Sequence, residues 1–160
     1  FSPIMGAVVE FANNGGPVVG ICNGFQVLTE AGLLPGALQK NSGLKFVCAP
    51  AELRVETTKS AITSRATLGE ALSIPVNHFE GNYSCTDETL AELRAQERIV
   101  LTYVQNPNGS VADIAGVCNE GRNVVGLMPH PERACHSLLG STDGQVLLGS
   151  LLDSVATLSS

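Results

Sequence analysis

The sequence predicts an α/β domain with a mixed, mainly parallel central sheet flanked by helices. Three observations carry that expectation. A near-continuous apolar run, PVVGIC at residues 17–22, reads as a strand covered on both faces, as central parallel strands are. Strand-like and helix-like patterns then alternate along the chain, which is how sheet and helix layers are encoded. The length of 160 residues, 44% of them hydrophobic and 15% charged, allows one buried core and argues against two full domains.

The elements follow in order. Ser2-Pro3 places a hydroxyl cap before a proline at the first helical position, and Ile4, Val8 and Phe11 then recur at helical spacing until NNGG at 13–16 ends the helix. After the strand at 17–22, Asn23-Gly24 leads into a second helix through Phe25, Val27, Leu28 and Ala31, which stops at Gly32 and Pro35. Residues 44–58 (LKFVC, ELRVET) read as one or two strands, and 74–78 as another. Thr86 caps a short helix running to about Glu97, with Asp87 and Glu88 complementing the dipole of its first turn. Residues 98–105 are strand-like, 111–118 and 123–128 make two strands joined by the NEGR turn, and 144–158 form the final helix.

Charge and cysteine usage exclude several functions. Nine Lys and Arg against 15 Asp and Glu give a net charge of −6, the opposite of a nucleic-acid binder's basic footprint. The five cysteines are odd in number and none has CxxC spacing, which disfavours a disulfide framework or zinc knuckle and fits a reducing compartment. No apolar run approaches the roughly 18 residues that cross a bilayer, and no basic-then-apolar leader opens the chain. A cytoplasmic location with no membrane partner is expected.

The chemically informative stretch is Gly20-Ile21-Cys22-Asn23-Gly24, where the apolar strand turns into a helix. It has the GxSxG elbow pattern with Cys replacing Ser. A turn this tight brings backbone segments together, so a Cβ at Gly20 or Gly24 is expected to collide. The helix N-terminus is expected to stabilise a Cys22 thiolate, and the Asn23 N–H to face a developing oxyanion. The plainer reading makes Cys22 a small buried hydrophobe.

A nucleophile needs a base, and His130 in MPHPE (128–132) stands at the end of an apolar strand. Extended His130-x-Glu132 spacing puts both side chains on one side, so the carboxylate can fix the imidazole tautomer and complete a Cys-His-Glu triad. A capped loop with a surface ion pair is the alternative. His136 has no adjacent acid and is the weaker base; His78 ends a strand and either contacts substrate or is simply satisfied there. Cys118, His130, Cys135 and His136 match no zinc signature, so no metal site is expected.

GICNGFQ (20–26) and LTEAGLLPGAL (28–38) resemble the nucleophile region of class I glutamine amidotransferases, most closely the amidotransferase subunits of phosphoribosylformylglycinamidine synthases. FSPIM (1–5), HFEGNY (78–83), NPNGS (106–110), MPHPER (128–133) and LLGSTDG (138–144) agree in the same order, so the likeness covers nearly the whole chain. It implies a flavodoxin-like three-layer fold. It implies Cys22 as nucleophile, His130 as general base and acid, and Glu132 as its orienting partner. Asn23 would hold the oxyanion, with Gln26 and His78 near bound glutamine.

The resemblance also implies a purine-biosynthetic role. Ammonia would pass to a separate synthetase subunit, with a small accessory subunit as a further partner. No cofactor is expected in this chain; ATP and Mg²⁺ would belong to the synthetase, since the sequence has no GxxxxGK[ST] loop. Two departures stand out: such proteins usually carry glycine where Phe79 stands, and they begin with a further strand and glycine-rich loop supplying a second oxyanion donor. Residues 1–160 are therefore expected to be an N-terminally truncated amidotransferase domain, poorly stable and nearly inactive alone. A stand-alone cysteine hydrolase and a catalytically silent module that binds the synthetase remain the competing readings.

Overall fold

The computed structural model describes residues 3–40, 43, 47–78 and 81–158. Helix α1 (Pro3–Asn13) begins at the expected proline, while the cap assigned to Ser2 falls outside the described residues. It ends as Gly15 takes φ +90°, a left-handed conformation open to glycine. Strand β1 (Val18–Ile21) then passes through Cys22 directly into α2 (Asn23–Glu30). Two short strands, β2 (Ala37–Gln39) and β5 (Asn82–Ser84), form a separate antiparallel ribbon.

β3 (Val47–Val55) is one unbroken strand, and its partner β4 (Ala71–His78) starts three residues before the expected Ile74. Pro50 and Pro75, the residues that break the strand pattern in sequence, sit opposite each other in the β3–β4 register. β4 ends the sheet, and an edge strand tolerates a residue that cannot donate. The start of the LKFVC strand, residues 44–46, lies outside the described residues. Thr86 caps α3 (Asp87–Ala95) by accepting the Thr89 N–H at 3.1 Å. β6 (Ile99–Tyr103), β7 (Ile114–Cys118), β8 (Val124–Leu127) and α4 (Gly144–Leu158) complete the fold. Residues 111–113, expected within a strand, make a 3₁₀ turn in which Ala112 and Asp113 adopt φ 51° and 60°.

The six-stranded sheet runs β1-β8-β7-β6-β3-β4. It is mixed, as expected, but not mainly parallel: β1 and β8 pair in parallel, and the other four neighbours pair antiparallel. For β7 and β8 connection length explains the direction: a five-residue hairpin, 119–123, can return a strand only antiparallel, whereas parallel pairing needs a longer crossover. β1 ends the described sheet, and of its four residues Gly20 is buried.

Side chains alternate between the two faces. On one, Val19, Ile21, Val125 and Leu127 join Leu53, Leu72, Ile74 and Leu101 beneath Leu147 of α4. On the other, Val124 and Met128 join Phe25, Leu28, Leu34, Tyr83 and Leu93 beneath α2 and α3. The result is helix, sheet and helix in three layers, closed on the second face by the Phe25–Tyr83 stack at 5.5 Å.

Candidate active site

The elbow forms where β1 meets α2. A Cβ on Gly20 would lie 2.5 Å from the Gly24 carbonyl oxygen and 2.6 Å from Leu28 Cδ1, so the helix can cross the strand only over a glycine. Gly24 differs from expectation: a Cβ there would meet nothing within 4 Å. The crossing is made by the Gly24 carbonyl, not by its α-carbon. Cys22 bears the strain of the turn, at φ 57° and ψ −108°. Such backbone positions are worth about 1–3 kcal/mol of strain and persist only where their surroundings over-determine them. Here Cys22 N–H donates to Leu127 O at 2.8 Å, its carbonyl accepts from Phe25 N–H at 3.0 Å, and its Sγ donates to Asn77 O at 3.6 Å.

Parallel pairing of β1 with β8 sets Ile21 beside Leu127, so Cys22 and the 128–130 segment leave the sheet at the same end. His130 is anchored there by its own N–H, which donates to Pro75 O at 2.8 Å. Pro75 is two residues from Asn77, whose carbonyl receives the Cys22 thiol. β4 thus holds both catalytic candidates along one edge. His130 Nδ1 lies 3.0 Å from Glu132 Oε2. A carboxylate accepts only, so Nδ1 carries the proton and Nε2 presents its lone pair. Nε2 is buried and has no partner, as is Asn77 Oδ1.

The His130–Glu132 contact forms differently from the extended spacing expected. Pro131–Arg133 is a 3₁₀ turn, in which Arg133 N–H donates to His130 O at 3.0 Å. The proline's fixed φ suits the first position of that turn and brings Glu132 back toward the ring.

The thiol also departs from expectation, because its pKa is raised. Burial dominates; the Asn23 N–H and the Arg133 charge favour the thiolate, and the Glu132 charge opposes it. One amide and one exposed guanidinium do not offset desolvation, so burial favours the protonated thiol.

Asn23 is exposed at the first position of α2, its N–H directed to the sulfur. Gln26 occupies the same first turn, but its amide donates to Glu30 at 3.3 Å, one turn along α2. His78 is the last residue of β4, paired with Val47; its side chain and all of Phe79 lie outside the described residues. His136 is exposed, and its Nδ1 accepts the Leu138 N–H at 3.1 Å. Among the described residues, no group of three or more His, Cys, Asp or Glu is placed to hold a metal ion, and no helix is long and apolar enough to cross a membrane. Pro75 and Asn77 were missed by sequence reasoning. Their only signal was adjacency to His78, since it is β4's edge position that brings them to the thiol.

Residues 2–145 match the CobB/CobQ-like glutamine amidotransferase domain family. The chain is 55% identical to phosphoribosylformylglycinamidine synthase subunit PurQ of Koribacter versatilis, over 98% of this chain and 71% of that protein. It is 57% identical to the subunit of the same name from Rubrobacter xylanophilus, over 95% and 69%. Its structure is similar to a chain of PurLQS from Thermotoga maritima, with a TM-score of 0.84 and 42% identity over 92% of this chain and 66% of that one. A further glutamine amidotransferase from Thermotoga maritima, 14% identical with a TM-score of 0.54, shares the fold. The chain spans about seven-tenths of the length of these two PurQ relatives and about two-thirds of the PurLQS chain. It belongs to the CobB/CobQ-like glutamine amidotransferase family and, within it, to the PurQ subunits.

Proposed function

We propose that this chain carries the glutaminase site of a phosphoribosylformylglycinamidine synthase, with Cys22, His130 and Glu132 as its triad. The supporting observation is the buried, unpaired Nε2 of His130, whose other nitrogen is held by Glu132, at the sheet end that carries the Cys22 thiol. The Cys22 thiol proton passes to Nε2 as the sulfur attacks the side-chain carbonyl of glutamine. The C–S bond forms, and the oxyanion is received by the Asn23 N–H. His130 returns the proton to the amide nitrogen, the C–N bond breaks and ammonia leaves. Water, deprotonated by Nε2, then cleaves the thioester to glutamate and restores the thiol. Glu132 keeps the proton on Nδ1 throughout and stabilises the imidazolium.

Ammonia passes to a synthetase subunit, which binds ATP and Mg²⁺ and converts the amide of formylglycinamide ribonucleotide into an amidine. The complex works in the cytoplasm. In the assembled complex, Cys22→Ala should abolish glutamine-dependent amidine formation and leave ammonia-dependent formation intact. Glutamine-dependent turnover surviving in Cys22→Ala overturns the reading.

A further inference from the structure

We propose that residues 141–145, at the entry to α4, are a clamp that sets the position of the Glu132–His130 pair; the inference rests on the triad reading above. One side of the clamp grips the turn that carries Glu132. Gly144 N–H donates to Ala134 O at 2.8 Å, and the Gln145 amide donates to Cys135 O at 2.7 Å. Gly144 approaches so closely that a Cβ on it would stand 1.9 Å from Pro131 O and 3.0 Å from Ala134 O. The start of α4 therefore touches three carbonyls of the 131–135 segment.

The other side grips the edge of β4. Ser73 N–H donates to Asp143 Oδ2 at 2.7 Å, Ser141 Oγ donates to Ser73 O at 2.8 Å, and Asp143 N–H closes the loop onto Ser141 Oγ at 3.1 Å. Ser73, Pro75 and Asn77 alternate along that edge, about 6–7 Å apart. They hold the clamp, His130 and Cys22 in turn. One strand edge is thus the common reference for nucleophile, base and the segment that fixes the base's partner. Asp143 and Gly144 are positioning residues and touch no reacting atom.

Gly144→Ala must push the Pro131 carbonyl back by at least 1.1 Å to reach 3.0 Å, the closest approach real Cβ atoms show. Pro131 is the residue between His130 and Glu132, and misplacement by about 1 Å can lower a rate by about 10²-fold. In the full-length protein bound to its synthetase partner, the variant should lose about 10- to 100-fold in kcat for glutamine while KM stays within about threefold. In the full-length subunit, the hydrogen-bonded imidazole Nδ1–H proton resonance of His130, assigned by its absence from His130→Ala, should broaden or vanish. Asp143→Ala should reproduce both effects, and Asp143→Asn, which keeps an acceptor for Ser73 N–H, should restore them; this pair decides the matter if Gly144→Ala does not fold. Unchanged kcat and an intact resonance in folded Gly144→Ala or Asp143→Ala overturn the clamp. If the parent shows no glutaminase activity but the resonance responds as described, the clamp stands and the glutaminase reading fails.

Discussion

Replacing Gly20 with alanine tests the elbow at its tightest point. The added methyl group would sit 2.5 Å from Gly24 O, 2.6 Å from Gly24 C and 2.6 Å from Leu28 Cδ1. Two of these are backbone atoms of α2, which cannot rotate away. Reaching 3.0 Å requires α2 to withdraw by 0.5 Å. Phe25 of α2 already rests so closely on β8 that a Cβ on Gly126 would lie 2.2 Å from its ring, so the helix has little freedom to shift. Overpacking of this kind costs about 1–3 kcal/mol, or roughly 5- to 140-fold in the ratio of folded to unfolded protein. Gly24→Ala is the control, because its methyl group enters open space and alanine gains up to about 1 kcal/mol over glycine within a helix. Urea unfolding should show a lower midpoint with unchanged slope for Gly20→Ala, and a midpoint equal to or above the parent's for Gly24→Ala. Equal stability of Gly20→Ala and the parent, or equal loss in the two variants, refutes the close crossing.

Two further outcomes follow from the same geometry. Alkylation of Cys22 by iodoacetamide should titrate above the ordinary thiol range near about 8.5, and higher still in Arg133→Ala, because burial opposes the thiolate and Arg133 favours it; a midpoint below an ordinary thiol's, or a downward move in Arg133→Ala, contradicts this. Asn123→Ala should destabilise the fold by about 1–3 kcal/mol in thermal unfolding, because its amide donates at 2.8 Å to both Ala12 O and Gly16 O and so ties the end of α1 to β8; a change under about 0.5 kcal/mol contradicts that role.

The parts legible in the sequence were those with local causes. The turn at Cys22 was readable because Gly20 must admit a crossing backbone, and the His130–Glu132 contact because two residues on one short segment can scarcely avoid each other. The final helix expected at 144–158 is α4, with the same bounds. What failed depended on distant partners. Strand direction follows from connections and neighbours, so a sheet with one parallel pair and four antiparallel pairs was expected to be mainly parallel. Pro50 obscured the continuity of β3, because its tolerance comes from its place opposite Pro75 of the edge strand β4. The raised thiol pKa arises from burial, which only the packed fold supplies. Gly24 shows the same limit within one motif: the spacing suggested two crowded glycines, and the geometry crowds one. The 138–144 motif was visible, but its contact with Ser73 of β4, some 70 residues away in sequence, was not.

Peptide-level mass spectrometry after treating the full-length protein with a glutamine analogue that carries an electrophile at the amide carbon is the most direct measurement. The chemistry described here predicts one label per chain, on Cys22, slowed by free glutamine and by His130→Ala. Labelling at Cys85, Cys118 or Cys135 with Cys22 untouched, or labelling of Cys22 at an equal rate without His130, would contradict it.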